Sequence, residues 1–252
     1  MKLPPNVDKG IGYIRNKFLP DYYGLIESLD IEFIRILKAL KDAGVADDTI
    51  VCYSSDHGDM SGAHGLCAKR FPYRNSSHVP FLIRYPRAIK AGKVIGDPFN
   101  TPDIYPSLAG FCDVKVPAGL DGLDYSSFFT GRATKPPRDC SYLEMHYGYV
   151  TWPGWRALRT SEYLYASTKH GPWMLYDVNR DPHELNNLVE SAGSKALVAD
   201  MDKRLTALMK ETGDSWKMSC ATGDQAKWSS HKAKLADQDL GGTWPGFDSD
   251  DK

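Results

Sequence analysis

The sequence has no apolar run approaching the ~20 residues that a bilayer-crossing helix needs, so no membrane span is expected. It has no surplus of either charge. The 31 Lys and Arg stand against 32 Asp and Glu, whereas nucleic-acid binders carry a basic excess, so no nucleic-acid partner is expected. It has no Cys-x-x-Cys pair. Its five cysteines, Cys52, Cys67, Cys112, Cys140 and Cys220, are odd in number and far apart, which argues against a zinc knuckle or a dense disulfide framework. One disulfide stays open, and with it the redox compartment. Internal repeats are absent too. The opening Met1-Lys2-Leu3-Pro4-Pro5-Asn6 has no apolar stretch after its lysine, so it does not read as a signal peptide. Localisation is unassigned, and residues 1–20 read as a linker inside a longer protein.

What is present is a chain of 252 residues, 42% hydrophobic, enough for one large core or two modest ones. Between Asp21 and Ala43, Leu25, Leu29, Phe33, Ile36, Leu37 and Leu40 recur at helical steps, and Gly44 stands where helices commonly stop. Thr49 to Ser54 is short and β-branched and predicts a buried strand, as does Val79 to Tyr85, closed by Pro86. Helix followed by buried strand is the local grammar of an α/β sheet. Thr101 to Phe111 predicts a second helix with Pro102 in its first turn. A Gly/Pro-rich basic stretch from Gly131 to Pro137 marks a subdomain boundary. Beyond it, Ser141–His146, Trp155–Arg159 and Tyr163–Ser167 read as strands, the last two forming a hairpin through Thr160-Ser161-Glu162. Lys195 to Lys210 reads as a helix. From Gly213 the chain is polar and aperiodic, although Trp216, Trp228 and Trp244 suggest packing. The expected division is therefore 1–20, 21–135, 136–212 and a tail, 213–252.

The loop from Ser55 to His78 separates the first two strands and holds three of the seven histidines. Loops of that length in compact domains are usually functional or disordered. Asp56-His57-Gly58-Asp59 opens it at the C-terminal end of a strand, where open α/β sheets place ligand sites. Gly58 would let the backbone turn so that Asp56 and His57 reach one cation. A carboxylate with an imidazole favours Mn, Fe or Zn over a pure oxygen site. Lys69 would supply a fixed positive charge for a sulfate or phosphate oxygen or a leaving group. On spacing alone, the competing readings are ordinary. A loop Asp is more often a turn former, Lys69 a solvated charge, and His64 and His146 structural residues.

The segments Thr49-Ile50-Val51 through Asp59, His64-Gly65-Leu66, Lys69, Pro72-Tyr73 and Val79 to Pro86 closely resemble the sulfatase family of the alkaline-phosphatase superfamily. So do the preceding helix from Tyr22 to Asp30, Asp103-Ile104-Tyr105-Pro106-Ser107-Leu108, Leu120-Asp121-Gly122, Trp155 to Thr160, Leu175-Tyr176-Asp177 and Asp181-Pro182-His183-Glu184-Leu185-Asn186-Asn187-Leu188. The likeness runs in consistent order from about residue 20 to 212. It implies an α/β fold: a partial alkaline-phosphatase-like sheet flanked by helices, with a small C-terminal subdomain of antiparallel sheet and helix. It implies Asp56 and His57 as ligands of a catalytic divalent metal (Ca, Mn or Mg, with Zn admitted), Lys69 as the residue contacting the ester, and His64 as a substrate-binding position. The histidine variant resembles bacterial sulfatases and phosphonate monoester hydrolases.

Two departures stand out. The family's nucleophile is a formylglycine made in a Cys/Ser-x-Pro-Ser-Arg segment, and no cysteine here leads into that pattern. The paired aspartates that complete the metal site are absent too. The expectation is therefore an incomplete metal site, a chain inactive alone, and a complementary N-terminal chain or a homo-oligomer as partner. Where the family often reads acid-Glu-x-x-Arg, this chain has Arg74-Asn75-Ser76-Ser77-His78, losing both members of an ion pair together. The alternatives carried are a phosphodiesterase or phosphonate-ester hydrolase portion and a non-catalytic binding or scaffolding fragment.

Overall fold

In the computed structural model, residues 3–7, 14–66, 68–146 and 154–216 are described. Trp228, Trp244, Cys67 and Cys220 lie outside them.

The helical periodicity after residue 20 becomes α1, Leu19–Asp42, entered through a π-helical turn over Ile14–Phe18 and stopped at Gly44, whose φ of +72° suits a residue without Cβ. Only part of its apolar pattern faces inward. Phe33 meets Tyr53 at 5.3 Å between ring centroids, and Leu37 and Leu40 are half-buried on the same side. Leu25, Leu29 and Ile36, read from the sequence as one face with them, are exposed.

β1, Val51–Ser54, and β2, Phe81–Arg84, pair antiparallel with Val51 opposite Arg84 and Ser54 opposite Phe81. Every residue of β1 is half-buried, so the expected buried strand is only partly covered. Its second edge has no partner strand among the described residues. One face of the pair rests on an aromatic core, where Phe81 and Ile83 meet Phe99 and the helices α3, Ile104–Phe111, and α4, Ser126–Phe129, through Phe111, Phe128, Phe129 and Tyr125. Phe81 and Phe99 lie 4.4 Å apart between centroids.

The C-terminal part is a four-stranded antiparallel meander, β3 Cys140–Met145, β4 Trp155–Thr160, β5 Tyr163–Thr168 and β6 Gly171–Asp177. The Thr160–Tyr163 hairpin forms as the sequence predicts, while β6 is an additional strand. Alternation along β4 and β5 sends Leu158 and Tyr165 to one face, where α5, Lys195–Glu211, covers them with Met201, Leu205, Leu208 and Met209. The other face carries Trp155, Ala157, Leu164, Ala166, Met174 and Tyr176 and packs towards Tyr73. With both faces covered, each large apolar side chain contributes on the order of 1.5–3 kcal/mol. Among the described residues Cys52, Cys112 and Cys140 are free thiols, and no helix is long and apolar enough to cross a membrane.

Candidate active site

The loop between β1 and β2 is ordered by its own backbone. The Met60 N–H donates to the Ala68 carbonyl (2.7 Å) and the Gly62 N–H to the Leu66 carbonyl (2.8 Å), folding the segment back on itself. Met60, Ala63, Leu66 and Phe71 bury a small core beneath it. The N-terminal residues join that core: Val7 bridges to Ala63, and Asn6 accepts from the His64 N–H at 2.6 Å. Ser61, His64, Ala68 and Arg70 all take positive φ without being glycine. A cluster of left-handed residues persists only where its surroundings over-determine it, and such clusters gather at functional sites.

Asp56 and His57 leave the end of β1 together. The His57 Nδ1 lies 2.8 Å from the Gly58 carbonyl oxygen. A carbonyl can only accept, so Nδ1 carries a proton, and in the neutral ring Nε2 is the nitrogen left with a lone pair. Nε2 faces Asp56 Oδ2 at 3.3 Å, a contact that becomes an ion pair when the ring is protonated. The His57 N–H, bonded to Asp56 Oδ1 at 2.8 Å, holds the carboxyl below the usual carboxylate range, so Oδ2 is anionic at neutral pH. Two electron-rich donors thus converge, and two ligands of one cation at ~2.0–2.3 Å sit roughly 3 Å apart. The pair offers two donors of the kind a divalent metal takes, with the second ring nitrogen held by a carbonyl as is common for metal-bound histidines. Among the described residues no group of three or more His, Cys, Asp or Glu is gathered to hold one. Asp59 is instead a turn former, its Oδ1 accepting from the Ser61 N–H (2.7 Å) and hydroxyl (3.0 Å).

Gly58 has a role other than the turn expected of it. Its φ is not positive. A Cβ there would run into the Asn75 carbonyl oxygen of α2, Arg74–Ser77, and the Gly58 N–H donates to the Ser76 carbonyl at 2.9 Å. Glycine is needed for close approach.

Lys69 is half-buried on the same loop and has no ion pair among the described residues. Neither it nor His64 bonds to Asp56 or His57. His64 stacks on Tyr73 with centroids 4.0 Å apart, its Nε2 is buried without a hydrogen-bond partner, and burial pushes its pKa down. In place of the expected ion pair, Asn75 accepts from the Asn6 side chain (3.3 Å). Burial, and then the charges of Arg74 and Arg159, push the His78 pKa down. His146 is exposed, its Nε2 3.3 Å from Glu144, with Nδ1 accepting from buried Arg156 at 3.4 Å.

The sequence reading missed how the C-terminal sheet grips this loop. The Trp155 indole N–H donates to the Arg70 carbonyl (2.9 Å), Tyr73 and Tyr176 rings meet at 6.0 Å, and Glu184 accepts from the Arg74 N–H (2.8 Å). The advance signals were the strand expected at Trp155–Arg159 and the Asp181-Pro182-His183-Glu184 segment.

Known proteins resemble this chain over most of its length. Residues 62–211, more than half of the chain, match the family model for the C-terminal part of N-sulphoglucosamine sulphohydrolase, and residues 4–114 match the sulfatase model. The chain is 36% identical over 223 residues to an ulvan-active sulfatase of Formosa agariphila, covering 85% of this chain and 43% of that protein. A protein solved in complex with its substrate D-glucosamine-2-N,6-O-disulfate superposes with a TM-score of 0.70 at 28% identity, over 75% of this chain and 40% of that one. The phosphonate monoester hydrolase of Agrobacterium radiobacter superposes at 0.67 with 28% identity, over 76% and 41%. The chain thus spans less than half the length of these relatives. The fold shared with them is the alkaline-phosphatase-like one expected, and the match over most of the described residues places this chain in the sulfatase family.

Proposed function

We propose that this chain supplies part of the metal site and the leaving-group side of a sulfuric ester hydrolase. The observation that carries the reading is the 3.3 Å approach of His57 Nε2 to Asp56 Oδ2, with Nδ1 committed to the Gly58 carbonyl. A divalent cation held there, Ca, Mn, Mg or Zn, would polarise an ester oxygen. Lys69 neutralises charge developing on the departing oxygen, and His64 offers its buried Nε2 to a polar group of the substrate. The ester class proposed is a sulfated sugar, in line with the disulfated glucosamine bound by the relative above. The residues between 21 and 135 form the catalytic portion, and those between 136 and 212 brace it.

A nucleophile must come from elsewhere, because no Cys/Ser-x-Pro-Ser-Arg segment occurs in these 252 residues. Metal and lysine can polarise an ester but form no covalent intermediate. The remaining part of the catalytic domain, on this polypeptide or on another, would carry the nucleophile. The purified chain should show no turnover of 4-nitrophenyl sulfate, 4-nitrophenyl phosphate or a phenyl phosphonate monoester. Saturable, metal-dependent hydrolysis that Lys69→Ala abolishes would overturn the proposal, and the preferred ester would separate sulfatase from phosphonate hydrolase. Calorimetry with MnCl2 should show weak binding that Asp56→Ala removes. Tight binding indifferent to that change would place the site elsewhere and favour a scaffolding role.

A further inference from the structure

We propose that Glu184 is a positioning residue: it holds α2 against Gly58 and thereby fixes the orientation of His57 beside Asp56. The proposal rests on reading Asp56 and His57 as the cation pair.

Glu184 is 2% exposed and takes φ +56°, a conformation that side chains other than glycine rarely adopt. The turn that imposes it is built by its own residues. The Glu184 N–H donates to the Asp181 carbonyl (3.0 Å), and the Asn186 N–H donates to the Asp181 carboxylate (2.7 Å). The carboxylate it buries has two partners. Oε2 accepts from the Arg74 N–H at 2.8 Å, across 110 residues of sequence, and Oε1 from the Arg159 guanidinium at 3.3 Å. Buried ion pairs are weak sources of stability because desolvation offsets their attraction. A buried carboxylate on a strained backbone, aimed at one main-chain N–H, is better explained by what it holds in place.

What it holds is the first residue of α2. Two residues on, the Ser76 carbonyl accepts from the Gly58 N–H (2.9 Å), and the Ser76 hydroxyl accepts from the Arg70 N–H (3.1 Å). The Gly58 carbonyl in turn accepts from His57 Nδ1 (2.8 Å). Three hydrogen bonds, joined by the covalent backbone of α2 between Arg74 and Ser76 and by that of Gly58, therefore link Glu184 to the imidazole. The absence of a side chain at Gly58 keeps α2 close enough for them. Without the carboxylate, α2 loses the bond that ties its first residue to the C-terminal part, and the last link orienting His57 slackens.

The test uses the full chain and two readouts. One is amide hydrogen exchange at Gly58 and Arg74. The other is Mn2+ binding followed by electron paramagnetic resonance. Glu184→Ala should speed exchange at both amides by about tenfold or more while the amides of β4 and β5 stay protected, since local opening is read separately from global unfolding. It should also weaken Mn2+ binding several-fold. Glu184→Gln keeps an oxygen for the Arg74 N–H and should restore both readouts to near wild type, even if loss of the Arg159 pair lowers overall stability. Unchanged Gly58 exchange in Glu184→Ala, or no rescue by Glu184→Gln in a folded protein, would overturn the proposal. If wild type binds no Mn2+ while the exchange pattern follows expectation, the cation reading fails and the positioning role stands.

Discussion

The C-terminal meander and the α1–β1–β2 region are built from similarly apolar sequence, yet they end in opposite states. In the meander, Leu158, Leu164, Tyr165, Leu175 and Leu205 are fully buried and both faces of the sheet are covered. On α1, Leu25, Leu29, Ile31, Ile34 and Ile36 are each more than half exposed, as is Leu82 on β2. Helix propensity and local periodicity are therefore satisfied in α1, but its hydrophobic face is not. Leu25, Leu29 and Ile36 share one side of the helix and Ile31 and Ile34 lie roughly opposite, and soluble surfaces rarely leave so much apolar area without an interaction to cover it. An unpaired strand edge beside it is a further template for association. The meander carries its own stabilising partners, whereas among the described residues the α1–β1–β2 region leaves much of its apolar surface and one strand edge open.

The largest effects should come from breaking the self-sufficient half. Leu205→Ala or Leu164→Ala should cost ~2–5 kcal/mol in urea unfolding, the transfer term plus the cavity left behind. Leu29→Ser or Ile34→Ser should change stability by less than about 0.5 kcal/mol, since those side chains already meet water. They should instead reduce binding of an apolar-surface dye and shrink any oligomer seen by light scattering. Equal losses from the two sets would mean that α1 is covered in solution, by a second copy or by another chain.

A smaller, pH-dependent effect belongs to the buried end of the meander. Arg156 is wholly buried, stacks on Trp216 at 4.4 Å and pairs with Asp214, which also accepts from the Tyr142 hydroxyl at 2.5 Å. The hydrogen bond from Arg156 holds the Asp214 carboxyl well below the usual carboxylate range. Because the folded-state pKa is depressed, this stabilisation is complete above the unfolded value of about 3.9 and is lost as pH falls through the folded value. Asp214→Asn keeps an acceptor but loses the charge and should cost ~1.5–3 kcal/mol at pH 7. The difference from wild type should narrow below about pH 4. A gap that stays constant down to pH 2 would show the carboxylate is not what stabilises this corner.

How much of this was legible follows the range of the interaction. α1, α5 and the Thr160–Tyr163 hairpin are specified within a few residues, by periodicity and turn chemistry, and were readable. β6 was not, because Gly171-Pro172 breaks the alternation and Trp173 to Tyr176 is buried on both faces. Asp56, His57 and Lys69 were expected from their motif, which does not carry the ring orientation that brings His57 Nε2 to Asp56. That depends on the Gly58 carbonyl. Least legible were contacts joining distant segments. Asn6 reaches Asn75 and Glu184 reaches Arg74, and no local pattern carries either pairing. Gly58 shows the same limit, since the reason for its small size is a helix that begins sixteen positions later.

The smallest effect is also the sharpest probe of whether α1 is bare. Arg35 donates to Glu32 one turn earlier (2.6 Å), with side chains 72% and 60% exposed. Lys38 pairs with Asp42 in the same exposed manner. Ion pairs of this kind on an open helix contribute ~0.3–0.5 kcal/mol and fade with salt, because water and counterions screen them. Glu32→Ala should therefore shift the urea midpoint barely above error in 50 mM salt and not at all in 1 M NaCl. Glu32 lies one turn from exposed Ile36, and Arg35 one turn from exposed Ile31. If a covering chain lies over these residues in solution, desolvation would raise the cost of breaking the pair above about 1 kcal/mol and remove its salt dependence. A salt-insensitive loss in Glu32→Ala would thus report that α1 is occupied. A negligible, salt-screened one would report the bare helix that the structure shows.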